Sequence, residues 1–498
     1  MKNILLKNGG IRQKNRLVFG AFFYMICSIF IKGIGALYRF PLLRLAGVES
    51  VGLYQMVFPL YALLLVISGT GAPHGITRMI SCGYDGKNTL KKSLALFLGL
   101  GGIFSVLLFL FSDKVAVLQG DARAGVLYKA ISPAIVLVAA IACFRGAVQG
   151  EGNYLPTACS QIVEQCVKVV VSLSLLFFAG GGVVVKALYA VSAVTVSEAF
   201  ALAYIAIVYA RRYVNCKNES VVNDENLCRN NAVLNKNLKT PGFKTLAFYV
   251  LPLTVSGLIL PLGGFIDSFI ALNFFKAYAA DATALYGVYS GGVETVAGVF
   301  TGAVAAYSQA RLPLMGKKKK ARQKTFFACV AMGTLFSSTL VFLSGVIVKI
   351  LFPHIGEYSD ILIAALKVSS AAVFFECVLC AINIIALSLD GQIFSTAAMA
   401  AGLVAKVLLD LILLKNPQIN VLGLVISSAA FYLVASASNL LYIICVRTRK
   451  GRLPDMREKT QGEKQIKDDE EKDENGIGGV GVLKRRPFVK RAGSDKIV

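Results

Sequence analysis

KSLALFLGLGGIFSVLLFLF, residues 92–111, decides the fold class. After Lys92 the stretch carries no charged residue, and its apolar side chains do not alternate with polar ones. A nearly uncharged run of about 18 residues or more is long enough to cross bilayer hydrocarbon as a helix. In lipid, backbone N–H and C=O groups must be paired internally, which leaves helices and closed barrels. A barrel strand would show period-two alternation over about ten residues, so this run reads as a helix.

Similar blocks recur on either side of it. Before it lie 17–38 and 51–69; after it come 127–145, 158–179 and 183–210. A second series covers 245–273, 285–308, 325–348, 361–388, 393–414 and 420–446. The expectation is an all-α polytopic membrane protein of about twelve spans in two six-helix lobes. Its parts would be a basic cytoplasmic N-terminus at 1–16, a first lobe at 17–210, a cytoplasmic linker at 211–244, a second lobe at 245–446 and a tail at 447–498. The tail is charged and mixed in sign, as in KDDEEKDE at 467–474, a composition expected to stay disordered. The first block is too long for a secretory signal and lacks a small-residue cleavage site, so it is taken as the first anchor.

Composition agrees. Of 498 residues 56% are hydrophobic and 16% charged, with a mean hydropathy of +0.66; soluble domains carry about 25% charge. The net charge of +24 comes from 52 basic and 28 acidic residues. The basic residues gather in alternate loops rather than on one face, which disfavours nucleic acid and reads as membrane orientation. They cluster before the first span (Lys2, Lys7, Arg12, Lys14, Arg16), after the second (Arg78, Lys87, Lys91, Lys92) and at Arg211 and Arg212. Further clusters follow the eighth span (Arg311, Lys317 to Lys320, Arg322) and the last (Arg447, Arg449, Lys450, Arg452). This pattern predicts an even number of spans with both termini cytoplasmic. Arg39 and Arg44 depart from it, falling on the outer side, and the inner loops after the fourth and tenth spans are nearly free of basic residues.

The two series resemble a repeat. Gly52-Leu53-Tyr54 opens the second span and Ala284-Leu285-Tyr286 the eighth, 232 positions apart. Arg78 and Arg311 follow at an offset of 233, and Glu164 and Lys406 at 242. An even number of spans per unit puts both units the same way up, with a pseudo-twofold along the membrane normal.

Soluble-enzyme signatures are missing. There is no G-x-x-x-x-G-K-[ST] phosphate loop and no H-E-x-x-H, and the only histidines are His74 and His354. Cys377 and Cys380 form a C-x-x-C in mid-helix, where cysteines act as small hydrophobes. No catalytic residue, metal site, cofactor or disulfide framework is expected, and the chain reads as a non-enzyme.

The informative residues are the charges inside the spans: Lys32, Glu164, Lys168, Glu198, Asp267, Glu294, Lys367, Glu376, Lys406 and Asp410. Placing one such charge at a bilayer centre costs at least ~2.5–3.5 kcal/mol on insertion scales, so these groups must pair or face water. Together they predict a hydrated cavity between the two halves. Glu164 with Lys168, and Lys406 with Asp410, are spaced i,i+4 and can neutralise each other as intramembrane pairs. Lys32, Asp267 and Glu294 have no such partner on their own helices. Lys32, Arg39 and Arg44 form a cationic line suited to a pyrophosphate; the alternative is that Arg39 and Arg44 snorkel to lipid headgroups. Pro252, Pro261 and Gly263-Gly264 precede Asp267 and mark the seventh span as a candidate hinge.

Several segments carry a family resemblance: Leu45-Ala46-Gly47-Val48-Glu49-Ser50-Val51-Gly52-Leu53-Tyr54-Gln55, then Gly69-Thr70-Gly71-Ala72-Pro73-His74-Gly75-Ile76. Phe144-Arg145-Gly146-Ala147-Val148-Gln149-Gly150-Glu151-Gly152 follows, with Pro156 and Gln161-Ile162-Val163-Glu164-Gln165, and Leu251-Pro252-Leu253-Thr254 leads through Pro261 to Asp267. Over roughly residues 15–446 the chain resembles the stage V sporulation protein B and polysaccharide-exporter branch of the MOP flippase superfamily. The resemblance implies flipping of undecaprenyl-pyrophosphate-linked sugars or peptidoglycan precursors through a two-lobed cavity by alternating access. It implies first-span cations, here Lys32 and Arg39, that bind the pyrophosphate. The candidate substrate-binding set is Lys32, Arg39, Arg44, Arg145, Asp267 and Glu294. The implied partners are the lipid-linked sugar, membrane lipids, a coupling ion (Na+ or H+) and cell-wall synthesis proteins. Departures are Ser388-Leu389-Asp390-Gly391 in place of a Gln-Gly motif, and Gly291-Gly292 where relatives often have a basic residue. The lipid II flippases also have fourteen spans, against about twelve here. Two alternatives are a cation-coupled multidrug exporter of the related MATE branch, favoured by the acidic span residues, and a non-transporting scaffold for wall or spore-cortex synthesis.

Charge reversal by Lys32→Glu is expected to abolish complementation of a deletion strain while leaving membrane insertion intact. Normal complementation would count against a phosphate-binding first span.

Overall fold

The computed structural model describes residues 27, 30–31, 33–35, 37–219, 242, 245, 250, 254, 257–315, 319–353, 355–389 and 391–450. The N-terminal segment 1–16, Lys32, Pro252, His354, Asp390, most of the linker and the tail beyond 450 lie outside the described residues. Residues up to Leu441 form one compact unit; those from Tyr442 form a second, whose described part continues the last helix.

The ordered elements are helices, as the uninterrupted apolar runs require. We label the stretch at 37–46 α1. Helix α2 (Val48–Leu65) passes through a π turn (Val66–Thr70) into α3 (Ala72–Ser81), forming one span. Then come α4 (Gly86–Gln119), α5 (Gly125–Gly150), α6 (Leu155–Phe178) and α7 (Val183–Glu219). The second lobe begins with α8 (Ile259–Lys276), followed by α9 (Ala282–Gly287), a π turn (Val288–Val293) and α10 (Glu294–Met315). It continues with α11 (Lys319–Leu351), α12 (Ser359–Leu387), α13 (Gln392–Leu413) and α14 (Val421–Lys450). Among the described residues, ten stretches are long and apolar enough to cross a membrane. Of the other two expected spans, the first lies largely outside the described residues, and the eighth is described as α9 and α10 joined by a π turn, with Glu294 at the head of α10.

Local chemistry sets the helix ends. Asp85 caps α4 by accepting from the Asn88 backbone N–H at 2.8 Å. Gly120, at φ 117, terminates it in the left-handed region that a side chain resists. Pro73 and Pro156 stand in first turns, where a missing N–H costs nothing. Outward faces are apolar: Ile103, Val106 and Leu110 on α4, Phe177 and Phe178 on α6, and Phe342 and Ile350 on α11 are exposed to the position of lipid. Inside each lobe, small residues let helices approach closely. A Cβ on Gly146 would lie 2.9 Å from Pro73 Cα, and one on Gly333 2.9 Å from Cys377 Cβ.

The lobes meet where the second and eighth spans begin. A Cβ on Gly52 would fall 2.0 Å from the Thr283 carbonyl oxygen, and one on Gly287 2.2 Å from that of Val48. The contact is reciprocal, and both pairs, Val48 with Thr283 and Gly52 with Gly287, are separated by 235 positions. That is what a twofold relating two like-oriented lobes requires. It also corrects the repeat alignment: Gly52 corresponds to Gly287, three positions beyond the Ala284 suggested by the Gly-Leu-Tyr and Ala-Leu-Tyr match. The π turns do not obey the same symmetry, since one follows Leu65 deep in its span and the other follows Gly287 near the start.

Because the crossing is backbone against backbone, Gly52→Ala and Gly287→Ala should each lower thermal stability, by about 1–3 kcal/mol as for other overpacked sites. An unchanged unfolding midpoint for both would show that the lobes do not approach this closely.

Candidate functional site

Polar bonds reinforce the glycine crossing. Arg123, just after α4, donates to Glu49 at 2.6 Å and to Asp121 at 2.7 Å. Thr283 of the second lobe donates to the same Asp121 carboxylate at 2.7 Å. Partial burial opposes ionisation of Asp121, but its bonds to Arg123 and Thr283 outweigh this and hold its carboxyl below the usual aspartate range. Nearby, Gln119 donates to Ser268 at 2.6 Å and Asn273 donates to the Leu118 carbonyl at 3.0 Å, both across the lobe boundary. These bonds join the first and second lobes beside the glycine crossing.

Deeper along the spans, two adjoining hollows of about 270 and 180 Å³ share Tyr289, Glu294, Ser428 and Tyr432. Joined, they approach the about 300–1,000 Å³ of small-molecule sites. The larger reaches Glu376 and Arg39; the smaller reaches Asp267, Lys406, Gly263 and Gly264. Arg39 comes from α1 in the first lobe, whereas the rest of the described wall belongs to the second. Its Nη1 donates to Thr295 Oγ1 at 3.4 Å. A cation from one lobe thus enters a hollow on the other that carries the carboxylates of Glu294, Glu376 and Asp267. The π turn at Val288–Val293 widens the helix just before Glu294, a device common at functional sites.

Beside the smaller hollow Lys406 pairs with two carboxylates, lying 3.3 Å from Asp267 Oδ1 and 3.6 Å from Asp410 Oδ2. It donates to Ser427 Oγ at 3.1 Å and Ser428 Oγ at 3.0 Å, and Ser427 donates to Asp410. Asp267 is 6% exposed, Lys406 5% and Asp410 0%. The expected Lys406 and Asp410 pair therefore exists, and Asp267, unpartnered on its own helix, takes the same lysine from across the lobe. The two serines were missed because hydroxyls in apolar helices give no charge signal.

The first lobe has a separate cluster. Arg145 of α5 bonds Glu164 of α6 at 2.9 Å and Ser160 at 2.7 and 2.9 Å. Glu164 thus takes Arg145 where the i,i+4 spacing pointed to Lys168. The Lys168 ammonium lies 5.8 Å from the centroid of the Tyr38 ring instead. Tyr38 in turn bonds Ser172 at 2.5 Å.

Of the candidate substrate set, Arg39, Asp267 and Glu294 are brought together. Arg145 stands in the other lobe. Arg44 is exposed in a shallow recess with Phe352 and Ile355, and Lys32 lies outside the described residues. Of the hinge set, Pro261 occupies the first turn of α8, while Gly263 and Gly264 line the smaller hollow.

Fold and site define a polytopic helical membrane protein whose interior holds a charged hollow. The structure is similar to the inward-facing conformation of a multidrug resistance MATE family transporter of the MOP superfamily, with TM-score 0.65 and 14% identity over 82% of this chain and 93% of that one. It is also similar to the lipid II flippase MurJ in an inward closed conformation, with TM-score 0.63 and 12% identity over 85% and 87%. The sequence pattern of the polysaccharide biosynthesis protein family matches residues 17–319, and the chain belongs to that family. Relatives in Bacillus subtilis (strain 168) include the uncharacterized membrane protein YabM, 27% identical over 84% of this chain and 79% of its own length. Stage V sporulation protein B is 29% identical over 31% of this chain and 32% of its own, and the lipid II flippase MurJ 24% identical over 88% and 84%.

Removing one partner of a screened, partly buried ion pair leaves the other unsatisfied. A double-mutant cycle of Arg145→Ala and Glu164→Ala should show a coupling of about 1–3 kcal/mol in thermal unfolding. Additive effects would mean that the two groups are stabilised independently.

Proposed function

We propose that this chain carries a lipid-linked oligosaccharide or peptidoglycan precursor, attached to undecaprenyl pyrophosphate, across the bacterial cytoplasmic membrane by alternating access. The observation that carries the reading is Arg39, a first-lobe guanidinium held in a polar hollow of the second lobe. A pyrophosphate entering between the lobes meets a bidentate phosphate donor, with Lys32 seven positions earlier in the sequence. The carboxylates and hydroxyls of Glu294, Glu376, Ser428 and Tyr432 offer acceptors and donors to sugar hydroxyls. The polyprenyl tail stays in lipid against the apolar outer faces.

Lysine and arginine clusters in alternate loops support cytoplasmic termini, which makes the glycine crossing the outer gate and the present state closed to the outside. Phosphate binding would draw Arg39 from Thr295, loosening a bond between the lobes and coupling cargo to rearrangement. The chain has no nucleotide-binding loop, so the membrane potential, an ion gradient or consumption of product outside would set direction.

A second reading, a cation-coupled multidrug exporter, is favoured by the acidic lining of Glu294, Glu376 and Asp267. The test is reconstitution in liposomes with a fluorescent polyprenyl-pyrophosphate-linked sugar and, separately, a cationic dye. Arg39→Gln should cut lipid-linked sugar flipping at least about tenfold, the loss of one charge-assisted interaction, with partial recovery in Arg39→Lys. Dye transport without sugar flipping would replace the proposal with the exporter reading. Neither activity, together with retained capture of cell-wall synthesis proteins, would favour a scaffold.

A further inference from the structure

The Lys406 ammonium is surrounded as a bound monovalent cation would be. Four oxygens from three helices converge on it: Asp267 of α8 at 3.3 Å, Asp410 of α13 at 3.6 Å, and the Ser427 and Ser428 hydroxyls of α14 at 3.1 and 3.0 Å. The two nearest carboxylate oxygens, Asp267 Oδ1 and Asp410 Oδ2, are buried and accept no well-formed hydrogen bond. They face the ammonium by charge rather than by directed bonding, as oxygens face an ion. The carboxylates sit on two neighbouring helices, α8 and α13. Without a cation between them two buried negative charges would repel, and a buried charge without its partner is strongly destabilising.

We propose that Lys406 is a tethered internal cation: it occupies, permanently and covalently attached, the place a dissociable sodium ion would fill in the second lobe. Such a cation cannot leave during a cycle, so the second lobe neither needs nor responds to external sodium. Its consequence for transport rests on the carrier reading above, but its consequence for stability does not. The two are tested separately.

Removing the amine while keeping the carboxylates should uncover the ion site. Purified full-length wild type and Lys406→Ser are unfolded thermally in sodium chloride or in N-methyl-D-glucamine chloride at equal ionic strength. The chain has no tryptophan, so a thiol-reactive dye reporting exposure of the buried Cys143, Cys329 and Cys377 serves as the probe. A ligand bound by the folded state alone raises the unfolding midpoint with its concentration. The wild-type midpoint should be the same in both salts. Lys406→Ser should unfold several degrees lower without sodium and recover saturably as sodium is added, and the further change Asp267→Asn should remove that recovery. Lys406→Gln, whose amide can still bond the serines, serves if the serine variant does not fold. A wild type stabilised by sodium, or variants indifferent to sodium, lithium and potassium alike, would overturn the proposal. In liposomes, wild-type flipping should be equal with sodium or N-methyl-D-glucamine outside. Sodium-dependent flipping would overturn the transport consequence even where the thermal result holds, whereas absence of flipping in both media bears on the carrier reading and leaves the thermal test standing.

Discussion

A charge inside a bilayer must find a counter-charge or water, and this constraint organises the molecule. The chain answers it in two ways. In the first lobe Arg145 and Glu164 satisfy one another across a helix interface, with Ser160 completing the arginine's bonding. In the second lobe one lysine serves two carboxylates, and the remaining acids, Glu294 and Glu376, turn to a hollow. The lobes share a topology but not a charge distribution. The second is the more acidic, and Arg39 reaches it from the first. Pairing keeps part of each lobe rigid, while the groups left facing space are available to a ligand.

Fold class was legible from hydropathy alone, because lipid permits so few backbone solutions. The polar stretch at 211–244 marked the break between the two series of apolar runs. Interior charges were legible as a set but not as a network. The i,i+4 rule sees only one helix at a time, so it found Lys406 with Asp410 and offered Lys168 to Glu164. It could not see that Asp267, far away in sequence, closes on Lys406, or that Arg145 reaches Glu164 from the preceding helix. Ser427 and Ser428 were invisible for a different reason: a hydroxyl in an apolar helix can satisfy itself on its own backbone. The repeat register slipped by three residues because Ala-Leu-Tyr at 284–286 mimics Gly-Leu-Tyr at 52–54, while the requirement for a side-chain-free crossing selects Gly287.

The two π turns show how near-symmetry is put to use. Lobes related by a strict twofold would present identical walls to the space between them. The π turn comes late in one span and early in its counterpart; in the second lobe Tyr289 within it and Glu294 just beyond it line the hollow, which the first lobe reaches through Arg39. The asymmetry gives a pseudo-symmetric body two unlike interior walls.

The crossing of Gly52 and Gly287 has a mechanical corollary. Two backbones touching without side chains have short-range dispersion and steric fit to hold them, and such contact vanishes within an ångström or so of separation. Around it side chains do cross the boundary, with Val51 set against Gly291 and Leu272 against Gly120. The neighbouring Glu49, Asp121, Arg123 and Thr283 bonds add a clasp of water-exchangeable links that moist surroundings can replace one at a time.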